Sequence, residues 1–356
     1  MRRMPRAELW RILEKYANEE CYTEAVLAVF NKNKICLQMT IGGIPADAAF
    51  DLASLTKLYT TTLLLKLLPR RGVELDARVL TWLDIPESCS RLRQCLKTAT
   101  IRQLLTHTAG LPAWYPLYAI DGTIWERMEC AVEQDQGQHP PMRYSDLGLI
   151  LAGRLLEICM GSKLPELIER TIRMPLMIPV LGYLPAGDSG KHFDGRRIIV
   201  SSYGNEIERR MCAQRGIFYD GFRAEGSPIQ GEPNDGNAWY YFKGVSGHAG
   251  LFSDAVGVCA LGQYYLNTKE ALLLEAMQEH GYGRGLGFEL GPKYPYGCGH
   301  TGFTGTSLYV SRELGVGAVL LTNRLANKTG EAPDLTACRT ELHRCVANNA
   351  AYIAAL

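Results

Sequence analysis

Long apolar runs are missing from this chain: no stretch of about 18 uncharged apolar residues occurs, so no membrane-spanning helix is expected. An excess of either charge is missing too. Lys and Arg number 38 against 37 Asp and Glu, for a net charge of +1. That balance removes the electrostatic footprint of a nucleic-acid or membrane-surface partner and leaves a small molecule as the expected one. Metal-ligand spacing is absent, since the seven histidines are dispersed and none pairs with another at i+4 or sits beside closely spaced cysteines. The glycine-rich GRGLGFELG lacks the preceding strand and following helix of a dinucleotide fingerprint. No cofactor and no metal are implied. The eleven cysteines are odd in number and show no paired spacing. They fit reduced thiols in a cytoplasmic protein, with Cys159 and Cys259 as packing residues. The N-terminal MRRMPRAELWRILEKYANEE carries basic residues as a secretory leader would, but charges interrupt every apolar run, so it reads as an amphipathic helix. Internal repeats and low-complexity tracts are not seen.

What is present begins with Ser54 and Lys57, three residues apart in FDLASLTKLYTTTLLLKLL, where small residues give way to a long apolar helix. Residues i and i+3 share a helix face, which carries the lysine amine to within reach of the serine hydroxyl. A serine hydroxyl is inert at neutral pH without a neighbouring base, and a lysine partly buried at an apolar helix start can become one. Four-residue patterns of this kind also arise by chance, with the serine as a helix start and the lysine solvated, so the rest of the chain decides.

With 356 residues there is ample chain for a buried core, read here as one domain over 1–356. AVLAVFNKNKICLQMTIGG alternates and breaks at Asn31 to Asn33 as a hairpin would. Residues 54–70 form the apolar helix, and VELDARVLTWL with IRQLLTHTAGLP suggests a second helical region ending at Gly110 and Pro112. YSDLGLILAGRLLEICM and LFSDAVGVCALGQYYLN show helical spacing, and TSLYVSRE and GVGAVLLTN are strand candidates before a closing helix. Residues 175–245, dense in Gly, Pro, Asp and aromatics, read as a loop-rich excursion over the core of the kind that shapes a cleft. The fold class expected is α+β: one antiparallel sheet built from N- and C-terminal segments, flanked by helices, with a helical and loop-rich insertion.

Tyr144-Ser145-Asp146 follows Ser54 by ninety residues, and His300-Thr301-Gly302 follows later. In this order the sequence resembles the serine β-lactamase and penicillin-binding-protein superfamily, in its class C β-lactamase-like branch of esterases, D-aminopeptidases and muramyl amidases. The family marks are Ser-x-x-Lys, Tyr-x-Asn and Lys-Thr-Gly, and LLTHTAGLP, GVSGHAGLFS, GHTGFTGTSLYV and LLTNR also look like that branch. The resemblance covers roughly residues 24–325. It implies a β-lactamase/transpeptidase-like fold, Ser54 as the acylated nucleophile, and Lys57 and Tyr144 as the partners in proton transfer, with the general base left open between them. It further implies an edge strand bearing His300, Thr301 and Gly302, and an oxyanion hole from the N–H groups of Phe303 and Ser54. Gly302 would let a substrate backbone approach closely.

Two positions depart from the family pattern. His300 replaces a lysine, so a permanent cation for a substrate carboxylate gives way to a group mostly neutral at pH 7, which disfavours penicillin-directed activity. Asp146 replaces an asparagine, and as an acceptor-only carboxylate it could hold Lys57 protonated and move base work towards Tyr144, or else act in a helix N-cap with Ser145. His248, among small residues in Gly247-His248-Ala249-Gly250, is a cleft residue or a structural histidine. His107 reads as structural, Asp235 and Asn237 as turn residues in preference to a lining of the cleft mouth, and Trp239 to Phe242 as cap packing or a substrate platform.

The function expected is hydrolysis of a small amide or ester through acyl-Ser54, with a muropeptide or D-amino-acid amide foremost. A carboxylesterase or acyltransferase on a small acyl substrate is the alternative, and a non-catalytic sensor a further one.

Overall fold

The computed structural model describes residues 5–135, 137, 140–184, 193–327 and 331–356. Two adjoining strands near the N-terminus, β1 (Ala25–Asn31) and β2 (Ile35–Ile41), form the expected hairpin, closed by Asn31 Oδ1 accepting from the N–H groups of Asn33 and Lys34. β3 (Phe50–Asp51) and β4 (Leu181–Tyr183) flank β7 (Leu251–Ser253) in a small sheet, while β5 (Ser202–Tyr203) pairs with β6 (Pro228–Ile229). The C-terminal part supplies β8 (Glu289–Leu290), β9 (Cys298–Thr301), β10 (Ser307–Ser311) and β11 (Val316–Thr322). The main sheet is antiparallel, in the order β2-β1-β11-β10-β9-β8, so N- and C-terminal segments meet at the β1–β11 ladder. Every residue of β1 and β11 is buried, as a central pair covered on both faces requires.

Helices cover the two faces. α1 (Arg6–Asn18) buries Leu9, Leu13 and Tyr16, one amphipathic stripe, beside the C-terminal helix. On the other face α2 (Thr56–Leu67) is buried on nearly every side, which is why its sequence reads as a continuous apolar run. α3 (Asp146–Met160) is capped by Ser145, whose Oγ accepts from Gly148 N–H at 3.2 Å, and α4 (Ala255–Asn267) by Asp254, which accepts from Gly257 N–H at 2.8 Å. α5 (Thr336–Asn348) closes the chain against the sheet.

Two expectations need correction. The second helical region breaks into short pieces, Val79–Thr81, Ser90–Cys95 and Ile101–Leu105, because none is long enough to propagate without the tertiary contacts that bury it. β9 is not the edge of the sheet: β8 pairs with it at Gly299 and Cys298, and only beyond that pairing are His300 and Thr301 left without an outer neighbour. All eleven cysteines are free thiols. Among the described residues no helix is long and apolar enough to cross a membrane.

Candidate active site

Ser54 lies in a single 3-10 turn, Ala53–Leu55, that leads into α2. The turn is entered through Ala53 at φ +45°, a left-handed conformation that costs a non-glycine residue of order 1–2 kcal/mol. Ala53 is held there by its N–H donating to Asp51 Oδ1 at 2.9 Å. The other Asp51 oxygen accepts Asn234 N–H at 2.7 Å, so one buried carboxylate ties the Ser54 turn to the 175–245 excursion. Burial raises the Asp51 pKa to about 6 against the opposing pull of these two N–H groups.

Lys57 is fully buried, with Nζ donating to Ser54 Oγ at 2.7 Å and to the His248 carbonyl at 3.0 Å. Asp146 Oδ1 lies 2.7 Å from the same Nζ as an ion pair, although it is not aligned as a hydrogen bond. Burial alone would lower the Lys57 pKa. The charges of Asp146 and Tyr144 outweigh it and hold the ammonium above the ordinary lysine value. Tyr144 covers this group, with Nζ 5.1 Å from its ring centroid. Its own pKa is raised, first by burial and further by Asp146, against the pull of Lys57 and hydrogen bonds with Ser54 and Lys57. The free site therefore holds one proton on Lys57 and one on Tyr144.

His300 is buried and donates from Nδ1 to the Thr301 carbonyl at 2.8 Å. Burial, then Lys57, Arg284 and His107, push its pKa well below the ordinary value, so it stays neutral at pH 7. Thr301 is half-buried and pairs with Ser307 in the ladder. Gly302 has a packing reason to be glycine as well: a Cβ there would stand 2.0 Å from Thr306 Oγ1 and 2.6 Å from the Leu52 carbonyl. Phe303 follows in the turn to β10, its ring partly exposed. Among the described residues the N–H groups of Ser54 and Phe303 are given no protein acceptor.

His248 is buried beside the site. Nδ1 meets Ser246 Oγ at 2.8 Å and Nε2 meets Asp235 Oδ1 at 2.9 Å, and only 1% of the side chain is exposed. A ring nitrogen lies within 4.8 Å of an Asp146 oxygen, and the backbone carbonyl reaches Lys57. Three successive carbonyls are gripped by side chains, Ser246 by Tyr183 Oη at 3.0 Å, Gly247 by Thr60 Oγ1 at 2.7 Å, and His248 by Lys57. α2 thus binds the 246–248 strap through two residues on one face.

Of the two readings of Asp235, the turn is preferred from sequence, but the structure brings it to the site: it anchors His248 and lies with it and Asp146 so that their ligand atoms are within 4.8 Å of one another. Asn237 is buried, accepting from Leu117 N–H at 2.8 Å and donating to the Tyr115 carbonyl at 2.9 Å. Arg284, which the sequence reading did not single out, places its guanidinium 5.3 Å from the Tyr144 ring centroid. His107 is structural as read, taking the Ser145 N–H on Nδ1 at 3.1 Å, with burial lowering its pKa to about 3. Its ring nevertheless lies against Tyr144, with centroids 4.5 Å apart and the planes tilted by 44°.

Comparison with known proteins bears on family and fold. The family model described as Beta-lactamase matches residues 11–188. A relative from Bacillus subtilis, N-acetylmuramyl-L-alanine amidase, is 28% identical over 314 residues, 77% of this chain and 68% of that one. The penicillin-binding protein homologue from Pyrococcus abyssi superposes with a TM-score of 0.68 at 18% identity, covering 94% of this chain and 76% of the other. The D-amino acid amidase from Ochrobactrum anthropi SV3 does so with a TM-score of 0.66 at 17% identity, covering 97% and 99%.

Proposed function

The chain belongs to the beta-lactamase family of serine hydrolases, and on that premise we propose that it cleaves a small peptide-like amide, a muropeptide or D-amino-acid amide, through an acyl-enzyme on Ser54. The observation that carries this reading is the 2.7 Å contact of Lys57 Nζ with Ser54 Oγ under the Tyr144 ring. Lys57 and Tyr144 titrate as a couple, and the productive form has lost one of their two protons. Asp146 favours keeping the ammonium, which leaves the vacancy on Tyr144. Ser54 Oγ attacks the carbonyl carbon as its proton passes to the couple. The C–N bond then breaks as the couple returns that proton to the leaving amine, and water repeats the sequence to free the acid. The N–H groups of Ser54 and Phe303 receive the oxyanion, each worth about 10² to 10³ in turnover. The substrate class rests on the neutral His300 and on the likeness to a muramyl amidase.

The test is turnover of muropeptides, D-aminoacyl amides and aryl esters by the purified protein and by Ser54→Ala. Amide cleavage that disappears in the variant is expected. Ester turnover without amide turnover would replace the amidase reading by an esterase or acyltransferase, and ligand binding undiminished in Ser54→Ala with no turnover would make the protein a sensor.

A further inference from the structure

The turn from Gly302 to Thr306 carries Phe303 past the nucleophile, and it is held from two sides. On the nucleophile side Thr304 Oγ1 donates to the Asp51 carbonyl at 2.8 Å and Thr306 Oγ1 to the Leu52 carbonyl at 3.0 Å. Behind it stand two arginines. Arg324 Nε donates to the Phe303 carbonyl at 2.7 Å while Nη1 donates to the Pro333 carbonyl at 2.8 Å, and its guanidinium lies 5.5 Å from the Phe303 ring centroid. Arg339, buried on α5, donates from Nη2 to the Thr306 carbonyl at 3.2 Å. Gly305, at φ +105°, is packed closely here: a Cβ would stand 2.1 Å from Thr322 Oγ1 and 3.0 Å from the Arg324 stem. Burial and the neighbouring Arg339 lower the Arg324 pKa to about 10, which still leaves a cation at neutral pH.

We infer that Arg324 is a positioning residue for oxyanion stabilisation: by holding the Phe303 carbonyl and the Pro333 carbonyl together it fixes the turn that aims Phe303 N–H beside Ser54. This rests on the acyl-Ser54 reading. A planar fork suits the task because its donors diverge rigidly to two acceptors, which the single point of a lysine ammonium cannot reproduce. The arrangement also binds the oxyanion turn to the segment that leads into α5, so the C-terminal end of the chain contributes to catalysis without touching substrate.

The experiment compares wild type, Arg324→Met and Arg324→Lys by affinity for an aryl boronic acid, whose tetrahedral adduct occupies the oxyanion geometry, and by KM and kcat for an aryl ester. Boronate affinity and kcat should both fall about tenfold in each variant, a fraction of what a whole oxyanion donor is worth, with KM changed less than about twofold. Unchanged boronate affinity in a variant that melts like wild type would overturn the inference. Should Arg324→Met fail to fold, Arg324→Lys is read by the same numbers. If wild type itself binds no boronate in a Ser54-dependent way, the acyl-serine reading fails instead.

Discussion

Asp146 raises the pKa of both members of the proposed couple, Lys57 beside it and Tyr144 above it, and the couple must surrender one proton to work. A base works deprotonated, so raised values place the productive form on the alkaline side, and kcat/KM should climb as pH rises through and above neutrality. Asp146→Asn removes the carboxylate and with it that upward push. The rising limb should then move to lower pH, checked by a pH profile of kcat/KM on an aryl ester. An unmoved limb would show that Asp146 does not set the couple. The same residue shows what could be read beforehand. Ser54 and Lys57 announce themselves because they share a helix turn, a local relation, whereas Tyr144 is reached only through the resemblance, by the place of Tyr144-Ser145-Asp146 in the motif order. Asp235 and Arg284 are brought in by loops whose paths depend on distant contacts, Asp51 with Asn234 for one and the stacked Tyr144 for the other. No spacing in the chain encodes those contacts.

At the level of elements, the site depends on how closely α3 approaches the 246–248 strap. Gly153 of α3 and Gly247 meet so tightly that a Cβ on Gly153 would stand 2.9 Å from the Gly247 Cα, and one on Gly247 would stand 2.4 Å from the Leu149 carbonyl. The obstacles are backbone and cannot rotate away. Gly153→Ala would gain about 1 kcal/mol of helix propensity yet incur about 1–3 kcal/mol of overpacking, so a net loss of stability is expected in thermal melts. The displaced strap would also carry the His248 carbonyl off Lys57, with kcat down about tenfold or more. The elements themselves were legible where pattern and burial coincide: the β1–β2 hairpin, α2, α3, α4 and the β10 and β11 strands all follow their apolar periodicity. β8 and β9 were not, because His300, Thr301 and Gly302 offer no alternation over so short a run, and the Val79–Leu105 region failed as a long helix because its apolar residues bury piecewise.

Across the whole molecule, buried titratable groups set the pH range of stability. His107 and His343 have their pKa values lowered to about 3 and His300 lies well below normal, all mainly by burial. The unfolded chain binds these protons from pH 6.5 downward while the fold refuses them, so stability falls as pH drops from 6.5 towards 3. Glu208 works in the opposite sense. Burial and the nearby Asp235 raise its pKa to about 8, and it sits between Tyr118 Oη at 2.9 Å and Gly236 N–H at 2.7 Å. The fold keeps this proton while the unfolded chain releases it near pH 4.5, so its contribution is full below that pH and is lost as pH rises towards 8. The two ranges overlap, and with three histidines against one carboxyl the melting temperature should peak near pH 6.5, above which the Glu208 decline remains. Glu208→Gln, which cannot ionise, should flatten the decline between pH 6.5 and 8, and an unchanged decline in that variant would refute the assignment.

The central claim is that Ser54 is an activated nucleophile, and intact-protein mass after exposure to a fluorophosphonate tests it most directly. One adduct per chain on wild type and none on Ser54→Ala is the predicted result. No adduct on wild type, or an adduct that survives Ser54→Ala, would contradict it.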